Sequence, residues 1–128
     1  MSGPFLDRID MIVNVPRLNR AELRNEMAKG ESSASIRGRV ERARSIQQDR
    51  QQSTNALLDT TELERHCQLK TADAEWFDTV SEKLNLSLRS HVRVIKLART
   101  IADLSVTATI SREHLMEAVS YRNSPMVK

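Results

Sequence analysis

Apolar residues recur at spacings of three and four along most of the chain, which is the pattern of amphipathic helices. The clearest stretch begins after Ser87, a residue suited to cap a helix, and runs to about Asp103. Two adjacent stripes along this helix are apolar, so other parts of the protein must pack against more than one of its sides. We therefore expect this helix to lie at the centre of the fold.

The same periodicity predicts helices on both sides of this one. A long helix follows Glu31-Ser32-Ser33, with Ile36, Val40 and Ala43 on one apolar face and arginines on the other faces. The other predicted helices cover residues 19–29, about 60–67, about 71–84 and about 112–122. With only three glycines and three prolines to form turns, the chain reads as an all-α helical bundle.

Residues 9–15 have a different pattern, because they are rich in β-branched side chains and are followed by Pro16. This pattern predicts one short strand before the helices. A single strand is not stable alone, so we expect it to pair with strands outside this sequence or at another sheet edge. The alternative is that the segment is a tail.

Composition agrees with a small globular domain, since 39% of residues are hydrophobic and 29% are charged. Aromatic residues make up only 3%, so the core must be aliphatic. A single cysteine, Cys67, excludes an internal disulfide and fits a reducing cytoplasm. The net charge of +3 permits contact with nucleotide or nucleic acid without requiring either.

Two kinds of site are missing from the sequence. No glycine-rich loop of the G-x-x-x-x-G-K-[ST] type is present, so we expect this chain alone not to hydrolyse ATP. Cys67 and the three histidines, His66, His91 and His114, lack the spacing of zinc ligands. We interpret His66 and Cys67 as partly buried helix residues.

Two segments carry a family resemblance. Residues 2–10, SGPFLDRID, resemble a run found late in the ATPase core of AAA+ proteins related to the magnesium-chelatase ATPase subunit. The resemblance implies that Arg8 is an arginine finger, which reaches the ATP of a neighbouring subunit and stabilises charge on its γ-phosphate. Residues 86–104, LSLRSHVRVIKLARTIADL, resemble the lid helix of the same proteins. There the arginine two places after the capping serine, here Arg89, is the sensor 2 residue that touches the γ-phosphate.

A third segment narrows the resemblance. Residues 30–44, GESSASIRGRVERAR, and residues 67–69, CQL, are similar to the ComM/YifB branch of bacterial, competence-related, magnesium-chelatase-like ATPases. The resemblance implies that residues 1–16 end an α/β ATPase core and that residues 17–128 form its helical lid. It further implies a cytoplasmic, ring-forming motor, a hexamer, that uses ATP and Mg²⁺ and drives DNA branch migration.

Two other functions remain open from the sequence. The first is the ATPase subunit of a magnesium chelatase, which belongs to the same group of proteins. The second is a stand-alone, basic helical module that binds nucleic acid or acts as an adaptor, because residues 37–50 hold five arginines against Glu41 and Asp49. No aromatic residues alternate with these arginines to stack on bases, which disfavours the second function.

Overall fold

The computed structural model describes residues 11–13 and 30–122, and these residues form an all-helical fold. Five α-helices and one 3-10 turn follow one another in the described residues. They are α1 (Ser33–Gln51), the 3-10 turn (Asn55–Leu57), α2 (Thr60–His66), α3 (Thr71–Lys83), α4 (Leu88–Leu104) and α5 (Arg112–Arg122). The predicted helical bundle is confirmed, and its bounds agree with those read from the periodicity within a few residues.

Local hydrogen bonds explain where these helices begin. The side chain of Ser32 accepts from the Ser35 amide at the start of α1, and Asp59 and Glu62 form a reciprocal capping box at the start of α2. The end of α3 also depends on local interactions. Asn85 adopts a left-handed conformation with φ of 53°, and the amide of Leu86 donates a hydrogen bond of 3.0 Å to the carbonyl of Ser81.

Helix α4 is the centre of the fold, as the two apolar stripes predicted. It packs against α5, against α1 and against the 3-10 turn. Ala98 and Ala102 of α4 are fully buried, and their small side chains allow the neighbouring helices to approach closely. The core is aliphatic apart from Phe77, and its buried members are Leu58, Leu63, Cys67, Phe77, Val94, Ala98, Ala102, Ile110, Leu115 and Ala118.

The first half of α1 differs from the prediction, because its apolar face is not buried. Ile36 is 44% exposed and Val40 is 43% exposed, whereas Ala43, one turn later, is 4% exposed. All residues from 31 to 42 are exposed. Only the second half of α1 contributes buried residues, which are Ala43, Gln47 and Gln51.

Residues 11–13, the described part of the predicted strand 9–15, are not in a strand. A strand needs a partner strand, and the described residues contain none. The amide of Ile12 instead donates a hydrogen bond of 2.6 Å to the carbonyl of Tyr121 in α5. The rest of that segment and the predicted helix 19–29 lie outside the described residues.

Candidate functional site

Arg89 lies in the first turn of α4. The hydroxyl of Ser87 caps this turn by accepting a hydrogen bond of 3.1 Å from the amide of Ser90. The side chain of Arg89 is exposed, and in the part of the chain that the structure describes it forms no hydrogen bond or ion pair. The N–H groups of its guanidinium are therefore available to donate hydrogen bonds to a ligand at the start of α4, the central helix of the domain.

The start of α4 is an unusual place for an arginine. The N-terminus of a helix carries partial positive charge, which interacts favourably with anions and unfavourably with cations, by about 0.3–1 kcal/mol at exposed positions. The first turn of α4 contains no acidic residue to offset this. An anion bound at this point would be stabilised by Arg89 and by the helix together.

Arg89 also lines a groove of about 780 Å³ along α4. The described residues that line it are Ala56, Leu88, Arg89, Val92, Arg93, Lys96, Leu97 and Thr100. Three of them are cations, none is a carboxylate, and the others are aliphatic apart from Thr100, so positive and apolar side chains line the groove together. Such a groove fits an anionic ligand.

The wall of the groove opposite α4 is the 3-10 turn. Lys96 donates a hydrogen bond of 3.1 Å from its Nζ to the carbonyl of Ala56 in this turn. The neighbouring Asn55 is 2% exposed, and its amide nitrogen Nδ2 donates to Thr100 Oγ1 at 3.0 Å and to Asp103 Oδ2 at 2.9 Å. The turn is thus bound to α4 by side-chain hydrogen bonds.

These bonds belong to a buried polar network around Asp103, which is 1% exposed. Arg50 donates to both carboxylate oxygens of Asp103, at 2.8 and 3.1 Å, and Arg99 forms an ion pair with Oδ1 at 3.2 Å. Gln51 donates to Asn55 Oδ1 at 2.9 Å. A buried carboxylate is tolerated because these donors compensate its charge and fill its acceptor sites.

Sequence reasoning missed this network. The sequence placed Arg50 with the other arginines on the outer faces of α1 and predicted no role for Asn55. One signal was available: Arg99 and Asp103 lie four residues apart on the inner side of the central helix, where charges are retained only in pairs. Nothing in the sequence indicated that Arg50 and Asn55 were the other partners.

Arg99 also holds the link between α4 and α5. Its guanidinium donates to the carbonyls of Thr107 and Ala108 at 2.8 and 3.0 Å. Burial lowers the pKa of Arg99, while the nearby charge of Asp103 opposes that change. Arg99 is therefore a structural residue that fixes the end of α4.

The side chains of His91 and Cys67 are packed into the fold, which indicates structural roles. The ring of His91 stacks on Phe77 at a centroid distance of 4.4 Å, and its Nδ1 lies 3.0 Å from Ser81 Oγ. Burial lowers the pKa of His91, and burial raises the pKa of the Cys67 thiol to about 11. Among the described residues, no group of three or more His, Cys, Asp or Glu side chains could hold a metal ion.

The basic face of α1 is smaller than the sequence suggested. Arg37, Arg39, Arg42 and Arg44 are exposed, and Arg39 is paired with Glu31. Arg50 forms an ion pair with Asp103 in the buried network. The arginines that remain at the surface of α1 therefore form a weaker positive field than five free cations.

Arg8, the predicted arginine finger, lies outside the described residues. The roles predicted for Arg8 and Arg89 both stay predictions. In the described residues, no helix is long and apolar enough to cross a membrane.

The fold and the groove define a small helical domain that presents cations at the start of its central helix. Residues 30–122 match the family described as "Magnesium chelatase, subunit ChlI C-terminal". The chain is 43% identical to Competence protein ComM of Haemophilus influenzae and 44% identical to the uncharacterized protein YifB of Escherichia coli, over 95% of this chain and 24% of each relative. It is 30% identical to an uncharacterized protein of Mycobacterium tuberculosis, over 97% of this chain and 25% of that protein.

The chain therefore belongs to the magnesium-chelatase C-terminal domain family and is related to ComM and YifB. It spans about a quarter of the length of these curated relatives. The predicted resemblance to the ComM/YifB branch is confirmed.

Proposed function

We propose that this domain is the lid of an ATP-hydrolysing AAA+ protein and that Arg89 contacts the terminal phosphate of ATP. One observation carries the proposal: the exposed guanidinium of Arg89 has no partner among the described residues and lies at the N-terminus of α4. Arginine suits this role because its planar fork donates two parallel hydrogen bonds to phosphate oxygens and stays charged at neutral pH.

In this proposal the lid does not carry out the chemistry by itself. The phosphate-binding loop and the Mg²⁺ site belong to an ATPase core encoded outside this sequence. Arg89 is carried on α4, which is bound rigidly to α1 and to the 3-10 turn through the network around Asp103. A movement of the lid as one body would therefore move Arg89 toward or away from the nucleotide, which couples hydrolysis to lid position.

For the whole protein we propose an ATP-driven motor, a hexameric ring that moves DNA branches during competence. Support for this comes from the relatedness to a protein named Competence protein ComM. The ATPase subunit of a magnesium chelatase is the alternative, and the family description supports it. The ring would place Arg8 of one subunit at the ATP of the next.

The experiment that tests the lid function compares Arg89→Ala with the unaltered protein in a form that includes the ATPase core. We expect ATP hydrolysis to fall at least 100-fold, by analogy with other groups that stabilise transferring phosphates. Thermal stability should not fall, since Arg89 is exposed and forms no hydrogen bond or ion pair with the other described residues. Arg89→Lys should recover only part of the activity, because lysine lacks the planar fork.

Arg44→Ala is the matched control, since Arg44 is also an exposed helix arginine but lies on α1. Its ATP turnover should equal that of the unaltered protein. If Arg89→Ala hydrolyses ATP as fast as Arg44→Ala, then Arg89 is an ordinary surface residue and the proposal is wrong.

Arg8 is tested by mixing subunits. Arg8→Ala should keep ATP binding in its own subunit and lose hydrolysis, because fingers of this kind supply about 10³–10⁵ in rate. Mixing it with subunits altered in their own phosphate loop should restore some activity, since intact pockets then meet intact fingers at some interfaces. A mixture that assembles but stays inactive would contradict the action of Arg8 across subunits.

A further inference from the structure

The three cations of the groove lie on one side of α4. Arg93 and Lys96 follow Arg89 by four and seven residues and line the same groove. At 1.5 Å per residue, the row extends over about 10 Å of helix. A single phosphate is too small to meet all three side chains, whereas a chain of linked phosphates matches a row of this length and sign.

Lys96 is held in place before any ligand binds. Its Nζ donates one hydrogen bond to the carbonyl of Ala56, and an ammonium group has two further donors. The turn that contains Ala56 is anchored through Asn55 to Thr100 and Asp103. A cation fixed in this way loses less side-chain entropy when it binds an anion than a free surface lysine does.

The lining of the groove favours a nucleotide over a nucleic-acid strand as the occupant. Leu88, Val92, Leu97 and Ala56 are aliphatic, and none of the described residues that line the groove is aromatic. Proteins that follow a single strand use aromatic rings on which successive bases stack. The groove offers charge over a short length and no such stacking surface.

We propose that Arg93 and Lys96 bind further phosphate groups of the same nucleotide whose terminal phosphate Arg89 contacts. The groove is then a polyphosphate site with three cations rather than a single sensor arginine. This inference rests on the proposed lid function and adds two binding residues to it.

The test measures binding of inorganic triphosphate to the 128-residue chain at low ionic strength by isothermal titration calorimetry. Arg93→Gln and Lys96→Gln should each raise the Kd by about 3- to 10-fold, the range expected for one charge-assisted hydrogen bond at a partly exposed site. Arg44→Gln removes the same charge from an exposed position outside the groove and should leave the Kd unchanged within a factor of about two.

A second measurement locates the ligand without relying on substitutions. Titration of triphosphate into the unaltered chain should shift the backbone amide resonances of residues 88–100 and of Ala56. The inference is overturned by the absence of binding at millimolar triphosphate, or by Arg44→Gln weakening binding as much as Arg93→Gln does. It is also overturned if a single-stranded oligonucleotide binds the groove and triphosphate does not.

These results are separate from the test of the lid function. If Arg89→Ala abolishes ATP hydrolysis while Arg93→Gln and Lys96→Gln bind triphosphate normally, the sensor role stands and the three-cation site is wrong. If the groove binds triphosphate as expected while Arg89→Ala hydrolyses ATP normally, the lid function is wrong.

Discussion

Replacing Asp103 with Asn should destabilise the domain more than any exposed charge substitution, because the carboxylate balances two arginines in the interior. The Asp103 side chain is fully buried, the Arg99 side chain is 4% exposed, and the Arg50 side chain is 21% exposed. Removing one partner of a buried ion pair costs about 3–5 kcal/mol, since the other charge is left uncompensated. Asn keeps one acceptor oxygen, and Arg50 can turn partly to water, so we expect about 3 kcal/mol.

The assay is thermal and urea unfolding of the 128-residue chain, followed by circular dichroism. For a domain of this size about 3 kcal/mol corresponds to a fall in Tm of roughly 12 °C. The control is Glu31→Gln, which breaks the exposed pair between Glu31 and Arg39 and should leave the Tm unchanged within error. A double-mutant cycle of Asp103→Asn with Arg50→Met should give a coupling energy of about 1–3 kcal/mol.

The reasoning would be refuted by a loss of less than about 1 kcal/mol in Asp103→Asn, which is the level of an ordinary surface change. A coupling energy near zero would show that Arg50 and Asp103 do not depend on each other. In either case the 3-10 turn would be held by its other hydrogen bonds, such as those from Lys96 to Ala56 and from Asn55 to Thr100, and not by the ion pair.

Two further predictions concern stability at single positions. Gly38→Ala should stabilise the chain by about 1 kcal/mol in urea unfolding, because alanine favours a helix more than glycine does. Gly38 lies within α1, and an added Cβ would meet no atom within 4 Å. A loss of stability would mean that the position has a contact outside the described residues. Burial lowers the pKa of His91 in the fold, and the charge of Asp78 opposes this with a smaller effect. The contribution of His91 to stability is therefore full at pH values above its unfolded pKa of 6.5 and is lost as the pH falls below that value. The fall in Tm between pH 7.5 and pH 5 should therefore be smaller in His91→Gln than in the unaltered chain, and an equal fall in both would contradict the assignment.

Part of the candidate site was predictable and part was not. Arg89 could be picked out from the sequence because its position follows the capping Ser87 within a segment similar to a known lid helix. The groove could not be predicted, because Ala56, which lines it, lies 40 residues before its hydrogen-bond partner Lys96 in the sequence. The spacing of Arg89, Arg93 and Lys96 along one helix was in the sequence, but only the packing of the turn against α4 makes their surface concave.

The helices, their ends and the family could all be predicted from the residues alone. These features depend on interactions between residues within about five positions, such as the capping of α4 by Ser87 and the left-handed turn at Asn85. Which polar residues are buried and which apolar residues are exposed depends instead on the packing of the helices. Arg50 meets Asp103 across 53 positions, and Ile36 stays exposed although it lies on the apolar face of α1. Periodicity describes the faces of a helix, whereas burial depends on what packs against each face.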